Sequence, residues 1–346
     1  MWIGLAGHAV DDDLRALCKE VQPSGFVLFA RNIAEPAQVL DLTRELRSLA
    51  HPHHPVLVSV DQEGGRVQRL REPATRWPPM RHVGQAGDLT AEVARAIARE
   101  LRAVGIDLDF APVADVDSNP ANPVIGDRAF ATTPEAVARH VDAFVTAMQA
   151  EGVVACAKHF PGHGDTRVDS HLDLPVVEEE DPRLRTRELV PFAAAVRAGV
   201  GTIMTAHVVY PAWDEELPAT LSPHVIPRLL REELGYDGVV VSDDLEMKAV
   251  HGRWEASTQV QLATEASVDV LLCCKEPELQ VAVFQALVRA QEAHAGLERA
   301  SRDAAARVHR LRERFLRDRP RAPGLEILGC AAHRLLAAQV RERGEG

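Results

Sequence analysis

Short β-branched and apolar runs alternate along the chain with longer stretches in which apolar positions recur at helical spacing. The runs predict strands at residues 2–6, 25–29, 56–61, 107–111, 153–158, 201–206, 238–243 and 268–273. Between them the longer period predicts helices at 11–21, 36–50, 90–104, 134–150, 183–198, 223–234 and 256–266, with two more, 276–293 and 297–317, after the last strand. Ser222 followed by Pro223 reads as a cap and first-turn proline, and Gly152, Gly199 and Gly235 stand where helices should stop.

Nearly continuous apolar strands such as Val239-Val240-Val241 suit a parallel sheet covered by helices on its outer face. Eight strands alternating with helices predict an α/β fold of the (β/α)₈ TIM type, one barrel domain over residues 1–317. A doubly wound sheet competes, but no Gly-x-Gly-x-x-Gly follows the first strand. Pro320 and Pro323 mark a linker, and 318–346 reads as a C-terminal extension whose stretch 325–346 is one helix with a charged end.

Composition narrows the function classes. The 346 residues carry 39 Lys and Arg against 51 Asp and Glu, a net charge of −12, which argues against a nucleic-acid partner. No apolar run approaches the ~20 residues needed to cross a bilayer, and residues 1–10 lack the basic start of a secretory signal. Five cysteines without Cys-x-x-Cys spacing describe neither a disulfide framework nor a zinc knuckle, so a reducing, cytoplasmic setting is expected.

Candidate chemistry gathers where strands end, which is where barrel sites are built. The third strand ends in Asp61-Gln62-Glu63-Gly64-Gly65-Arg66, the fifth in Lys158-His159, the sixth in Ala206-His207 and the seventh in Ser242-Asp243-Asp244. Charges there need partners, so a convergent set points to a site rather than to packing. In the loop after the fifth strand, Asp169 and His171 are two apart, and an extended backbone would point both side chains the same way. A carboxylate beside an imidazole orients the ring, so this His can protonate a leaving group and later deprotonate water; the same pair could instead brace the loop. Asp243 could attack an electrophilic carbon, with Asp244 its rival, and either could cap the following helix. Metal binding is a further reading, with His159, His163, Asp165, Asp169, His171 and His207 as possible ligands. It is disfavoured because a Pro-Gly break separates His159 from His163 and no His-x-His pair opens the first strand. Trp77 and Trp213 are candidate sugar contacts, with core packing the stronger expectation.

Five stretches carry a resemblance: residues 58–70 (VSVDQEGGRVQRL), 109–130 (DFAPVADVDSNPANPVIGDRAF), 158–171 (KHFPGHGDTRVDSH), 204–211 (MTAHVVYP) and 238–247 (GVVVSDDLEM). In these motifs and their order the chain resembles the family 3 glycoside hydrolases, in particular the single-domain bacterial β-N-acetylglucosaminidases. The resemblance implies a (β/α)₈ barrel that releases terminal β-linked N-acetylglucosamine with retention and needs no cofactor or metal. It implies Asp243 as nucleophile, His171 as general acid/base with Asp169 as its partner, and Asp61, Arg69, Arg128, Lys158 and His159 as sugar-binding residues. Ala129, beside Arg128, stands where family members often carry Ser. The implied substrate is a small carbohydrate or muropeptide, N-acetylglucosamine on anhydro-muramic acid with or without peptide, met in cytoplasmic cell-wall recycling. A neutral His base would also admit phosphate as acceptor, which makes a phosphorylase the alternative, ahead of a metal-dependent barrel hydrolase. The oligomeric state is left open, with a monomer sufficient for the chemistry.

Overall fold

Val239 and Val241 point into the apolar filling of a barrel, while Val240 between them packs into the layer shared by sheet and helices. The same alternation recurs around the computed structural model, which describes residues 1–50, 54–317 and 319–345. Its barrel strands are β1 (Trp2–Gly4), β2 (Gly25–Leu28), β3 (Leu57–Val60), β4 (Leu108–Asp109), β5 (Val154–Phe160), β6 (Thr202–Thr205), β7 (Val239–Asp244) and β8 (Val270–Cys273). They pair in parallel in chain order, and β8 closes on β1 through Trp2 opposite Leu272 and Ile3 opposite Cys273. This is the expected α/β fold, a (β/α)₈ TIM-type barrel in one domain. Inside it lie Trp2, Leu57, Phe110, Cys156, Met204 and Leu272, and the helix Ala295–Leu316 adds Val308, Leu311 and Phe315 to that cluster.

Prolines account for several departures from the expected boundaries. β4 is only two residues long, because Pro112 has no N–H to continue a ladder. β5 runs two residues further than expected, to Phe160, and holds Lys158 and His159 within the strand. Helix 183–198 is in fact two, Asp181–Arg187 and Leu189–Arg197. Pro191 cannot donate to the carbonyl of Arg187 and its ring crowds it, so the helix breaks at Glu188. Pro223 precedes its helix rather than opening it. Ser222 Oγ accepts from the N–H groups of His224 and Val225, and the helix that follows, Val225–Glu233, is wound as a π-helix.

The stretch 325–346 is not one helix. A single turn, Leu325–Ile327, is followed by the helix Ala331–Gly344, with Gly329 between them at φ +58°. A Cβ on Gly329 would lie 2.0 Å from the carbonyl oxygen of Pro73, so the chain passes there too closely for any side chain. Helix Ala331–Gly344 packs on the helices Met80–Gln85 and Thr90–Ala103. Asp318 and Gly346, the first and last residues of the expected extension, lie outside the described residues.

Candidate active site

The site grows out of the barrel's interior rows. Leu57 and Ser59, Val154 and Cys156, and Val239 and Val241 are buried at alternate positions, and the next residues of the same parity are Asp61, Lys158 and Asp243. Carried past the hydrophobic filling, each row ends in a charge at the carboxyl end of the barrel.

Two of these meet directly. Lys158 Nζ, almost fully buried, lies 2.8 Å from Asp61 Oδ1 and 2.6 Å from Glu63 Oε1. Glu63 in turn accepts two hydrogen bonds from Arg128, both of 2.8 Å, in the paired geometry a guanidinium offers a carboxylate. Arg69 donates to Asp61 Oδ2 at 3.2 Å. Burial alone would raise the carboxyl pKa values, but Lys158 with Arg69 at Asp61, and Arg128 with Lys158 at Glu63, outweigh it and hold both below the ordinary range. Nearby Asp109 is driven the other way by burial, well above the usual value, and its carboxyl takes one N–H, from Gln62.

His159 is set by a second buried acid. Asp115 Oδ2 lies 2.8 Å from His159 Nδ1, while Oδ1 accepts from the backbone N–H groups of His159 and His163 at 3.1 and 2.7 Å. His163 sits 2.8 Å from Thr166 Oγ1 and 3.2 Å from Ser170 Oγ; burial first, then nearby His159, push its pKa down to about 4, so it is neutral at pH 7. Among the described residues no three or more His, Cys, Asp or Glu are grouped to hold a metal ion.

Asp169 and His171 meet, though not as the alternation predicts. The chain turns there instead of extending: Asp169 Oδ1 accepts from the His171 backbone N–H at 2.9 Å and lies 2.8 Å from the ring Nδ1. An aspartate binding the backbone two residues on makes its own turn, and this local preference overrides the extended reading. Those bonds overcome the effect of burial and lower the pKa of Asp169. The His171 side chain is 66% exposed. The pair is tethered across the barrel mouth, since the carbonyl of Ser170 accepts from the N–H of Ala249, six residues beyond Asp243.

The structure also separates Asp243 from Asp244. Burial would raise the pKa of Asp243, but the rings of His207 and His159, the N–H of Asp244 and, least of these, His171 reverse that and lower it. Asp244 is pushed up to about 7 by burial and by Glu246, and its Oδ1 accepts from the Glu246 N–H. Asp243 is thus the carboxylate kept ionised at the mouth. His207, whose pKa is lowered by burial, places Nε2 3.1 Å from the Asp244 carbonyl oxygen and Nδ1 2.8 Å from Thr220 Oγ1.

Of the residues the sequence singles out, Asp61, Arg69 and Lys158 form one contact network, Arg128 joins it through Glu63, and the charges of His159 and His171 both favour the ionised form of Asp243. Asp115 was not among the expected site residues; Glu63 and His207 were expected only as members of the strand-end set, and His163 and His207 only as possible metal ligands, none with a role in binding sugar. Glu63 follows Asp61 by two in the D-Q-E run, and Asp115 closes the A-P-V-A-D run after β4, which is the signal that was available. Trp77 is buried in the core, and Trp213 lies against Tyr210 with its Nε1 donating to Asp181. All five cysteines are free, and no helix among the described residues is long and apolar enough to cross a membrane.

Residues 3–311 match the glycosyl hydrolase family 3 N-terminal domain. A β-hexosaminidase of Methylococcus capsulatus is 43% identical over 288 residues, 82% of this chain and 85% of the relative. One from Thiobacillus denitrificans is 41% identical over 287 residues, 81% of this chain and 79% of the relative. Among solved structures, a family 3 β-N-acetylglucosaminidase from a Paenibacillus strain superposes with a TM-score of 0.92 at 42% identity, covering 99% of this chain and 67% of that one. NagZ from Neisseria gonorrhoeae in complex with N-trifluoroacetyl-D-glucosamine gives 0.82 at 32% identity, covering 99% and 97%.

Proposed function

The chain belongs to glycosyl hydrolase family 3, and from that premise we propose that it cleaves terminal β-linked N-acetylglucosamine through an aspartyl glycosyl-enzyme. It is a β-N-acetylhexosaminidase, a glycosidase acting on O-glycosyl bonds. The observation that carries the finer reading is the pairing of an ionised Asp243 with a tethered Asp169–His171 couple at one end of the barrel.

In this reading Asp61 accepts hydrogen bonds from sugar hydroxyls, while Lys158, His159, Arg69 and Arg128 hold the ring and its substituents. Asp243 attacks the anomeric carbon as His171 gives its proton to the departing oxygen. The neutral imidazole then takes a proton from water, which displaces Asp243 and returns the sugar with the same anomeric configuration. Most retaining glycosidases use two carboxyl groups for these roles. Here an imidazole held by a carboxylate takes the place of the second, and Asp169 favours the tautomer with the proton on Nδ1.

The substrate in this proposal is a cell-wall fragment bearing N-acetylglucosamine on anhydro-muramic acid, with or without peptide, degraded in the cytoplasm. The net charge of −12 offers no long-range attraction to such an anionic fragment, so recognition rests on the local cations Lys158, Arg69 and Arg128. The test is a time course on a nitrophenyl N-acetyl-β-glucosaminide, its glucoside counterpart and the anhydro-disaccharide, with and without phosphate and with a chelator. Free N-acetylglucosamine, little glucoside turnover and no effect of chelator are expected. Sugar 1-phosphate as the main product would replace hydrolysis by phosphorolysis, and loss of activity in chelator restored by zinc would point to a metal.

A further inference from the structure

Residues 165–179 leave β5, carry Asp169 and His171, and return to the helix Asp181–Arg187. Backbone and amide contacts hold each end separately: Asn122 Nδ2 donates to the carbonyls of His163 and Gly164, and the Val177 N–H donates to Val209. One buried side chain reaches both ends. Arg187 Nη2 lies 2.7 Å from Asp165 Oδ2 at the outgoing end, and Nη1 lies 3.6 Å from Glu179 Oε1 at the returning end. Its Nε donates to Glu188 Oε1 at 2.6 Å.

Glu188 completes the base of this arrangement. It is almost wholly buried and lies directly under the start of the excursion, where a Cβ on Gly162 would come within 2.5 Å of its Oε2. Gly162 has φ +142°, and its carbonyl accepts from the buried Tyr210 hydroxyl. The break at Glu188 caused by Pro191 leaves consecutive residues Arg187 and Glu188 both buried, which a continuous amphipathic helix would not favour. A guanidinium alone among side chains presents Nε and two Nη groups in one rigid plane, so it can serve three carboxylates from three parts of the chain at once.

We propose that Arg187 is a positioning residue for acid–base catalysis, its guanidinium clasping the two ends of the 165–179 segment and so fixing where the Asp169–His171 pair stands. The proposal rests on the assignment of His171 as the acid in the preceding subsection. Arg187 touches no reacting atom; it acts through Asp165 and Glu179. A displacement of about 1 Å in a proton donor is enough to cost on the order of 100-fold in rate.

Acid assistance matters in proportion to how poorly the leaving group departs unaided, and kcat/KM reports steps up to formation of the glycosyl-enzyme. Arg187→Met is therefore expected to lower kcat/KM by roughly 10- to 100-fold for the anhydro-disaccharide and by less than about threefold for a 2,4-dinitrophenyl glycoside. Arg187→Lys should recover part of the loss. Asp165→Asn and Glu179→Gln, which each remove one partner and leave Arg187 in place, should show the same leaving-group preference on a smaller scale. These two keep the test available if Arg187→Met does not fold. Equal losses on both substrates in these variants, or no loss on either, would overturn the clasp. His171→Ala run alongside separates the two claims. If it spares the dinitrophenyl substrate while the clasp variants show no such preference, only the clasp fails. If His171→Ala itself loses both substrates equally, the acid assignment fails first. Adding Arg187→Met to His171→Ala should cost nothing further on the disaccharide, since groups acting as a unit are not additive.

Discussion

One oxygen of Asp169 holds His171 twice, accepting the backbone N–H at 2.9 Å and lying 2.8 Å from the ring Nδ1. The turn and the ring orientation are thereby one feature, and in the proposed mechanism Nε2 is the nitrogen that exchanges a proton with the substrate. Asp169→Ala should cost about 10²- to 10³-fold in kcat/KM on the disaccharide. Replacing it by Asn keeps the hydrogen bond to the backbone but loses the charge, and should give an intermediate loss. Steady-state kinetics on a leaving-group series checks this. A loss independent of leaving group in Asp169→Ala would mean that the pair serves only to shape the loop.

Asp243 is kept ionised where its neighbour Asp244 is pushed up to about 7. Asp243→Ala is expected to lose roughly 1,000-fold or more in kcat, against a far smaller loss for Asp244→Asn, whose carboxyl serves the Glu246 N–H. Intact-mass measurement with a slow fluoro-sugar should show a covalent adduct in the parent protein and none in Asp243→Ala. An adduct mapped to another residue would remove the nucleophile assignment.

Much of this site was legible in the sequence because charges close otherwise apolar strands and the motifs around them resemble a known family. Asp61, Lys158 and Asp243 end nearly continuous apolar runs at 57–61, 154–158 and 239–243, so the alternation that aims them inward is seen only in the barrel. What the strand ends could not supply was the partner of each charge. Arg128 reaches Glu63 across 65 residues, and His159 reaches Asp115 across 44, so the pairings exist only once the barrel closes. The Asp169–His171 contact was anticipated for the wrong local reason, since an Asx turn rather than an extended strand brings them together. The split of residues 183–198 was readable from Pro191, but its consequence, a buried Arg187 facing three acids, belongs to tertiary structure.

Lys158 is the cation shared by Asp61 and Glu63 in a site nearly closed to solvent. Removing it leaves two carboxylates with one arginine each and takes away the attraction that offsets their desolvation. Lys158→Met should destabilise the fold by about 3–5 kcal/mol, as breaking a buried charge cluster does. Chemical denaturation at pH 7 measures this directly. Lowering the pH should narrow the difference, because both carboxyl groups have depressed pKa values in the folded protein and their stabilising contribution is lost as they protonate. A difference that stays constant from pH 7 to pH 3 would contradict the pairing.

Glu188 gives the opposite sign. Burial pushes its pKa up to about 7 despite the adjacent Arg187. Between an unfolded value near 4.5 and that figure the folded protein binds more protons than the unfolded chain, so this group's contribution is full below about pH 4.5 and is lost as pH rises through about 7. Glu188→Gln cannot titrate. Its stability relative to the parent should rise between pH 5 and pH 8, by a few kcal/mol at most. Thermal midpoints of both proteins across that range test the slope, and parallel curves would show that Glu188 is charged throughout.

Glu100 ties the C-terminal residues to the barrel. Its Oε1 takes the Thr75 hydroxyl at 2.6 Å and the Gly329 N–H at 3.0 Å and lies 2.9 Å from His333 Nδ1, while Oε2 accepts from the Thr75 N–H at 3.0 Å. Glu100→Ala strands these buried donors and should cost about 2–4 kcal/mol. The effect should reach the site as well. Residues 77–79 lie against the glycines that follow Glu63, with the Gly65 N–H donating to the Trp77 carbonyl at 3.0 Å and no room for a Cβ on Gly64 beside Pro78. Loosening residues 73–79 therefore loosens the backbone that presents Glu63 to Lys158 and Arg128, and KM should rise while kcat changes little. Limited proteolysis should at the same time cut sooner within residues 319–345. Unchanged KM together with unchanged cleavage would mean that Glu100 only fills space between the helix Thr90–Ala103 and its neighbours.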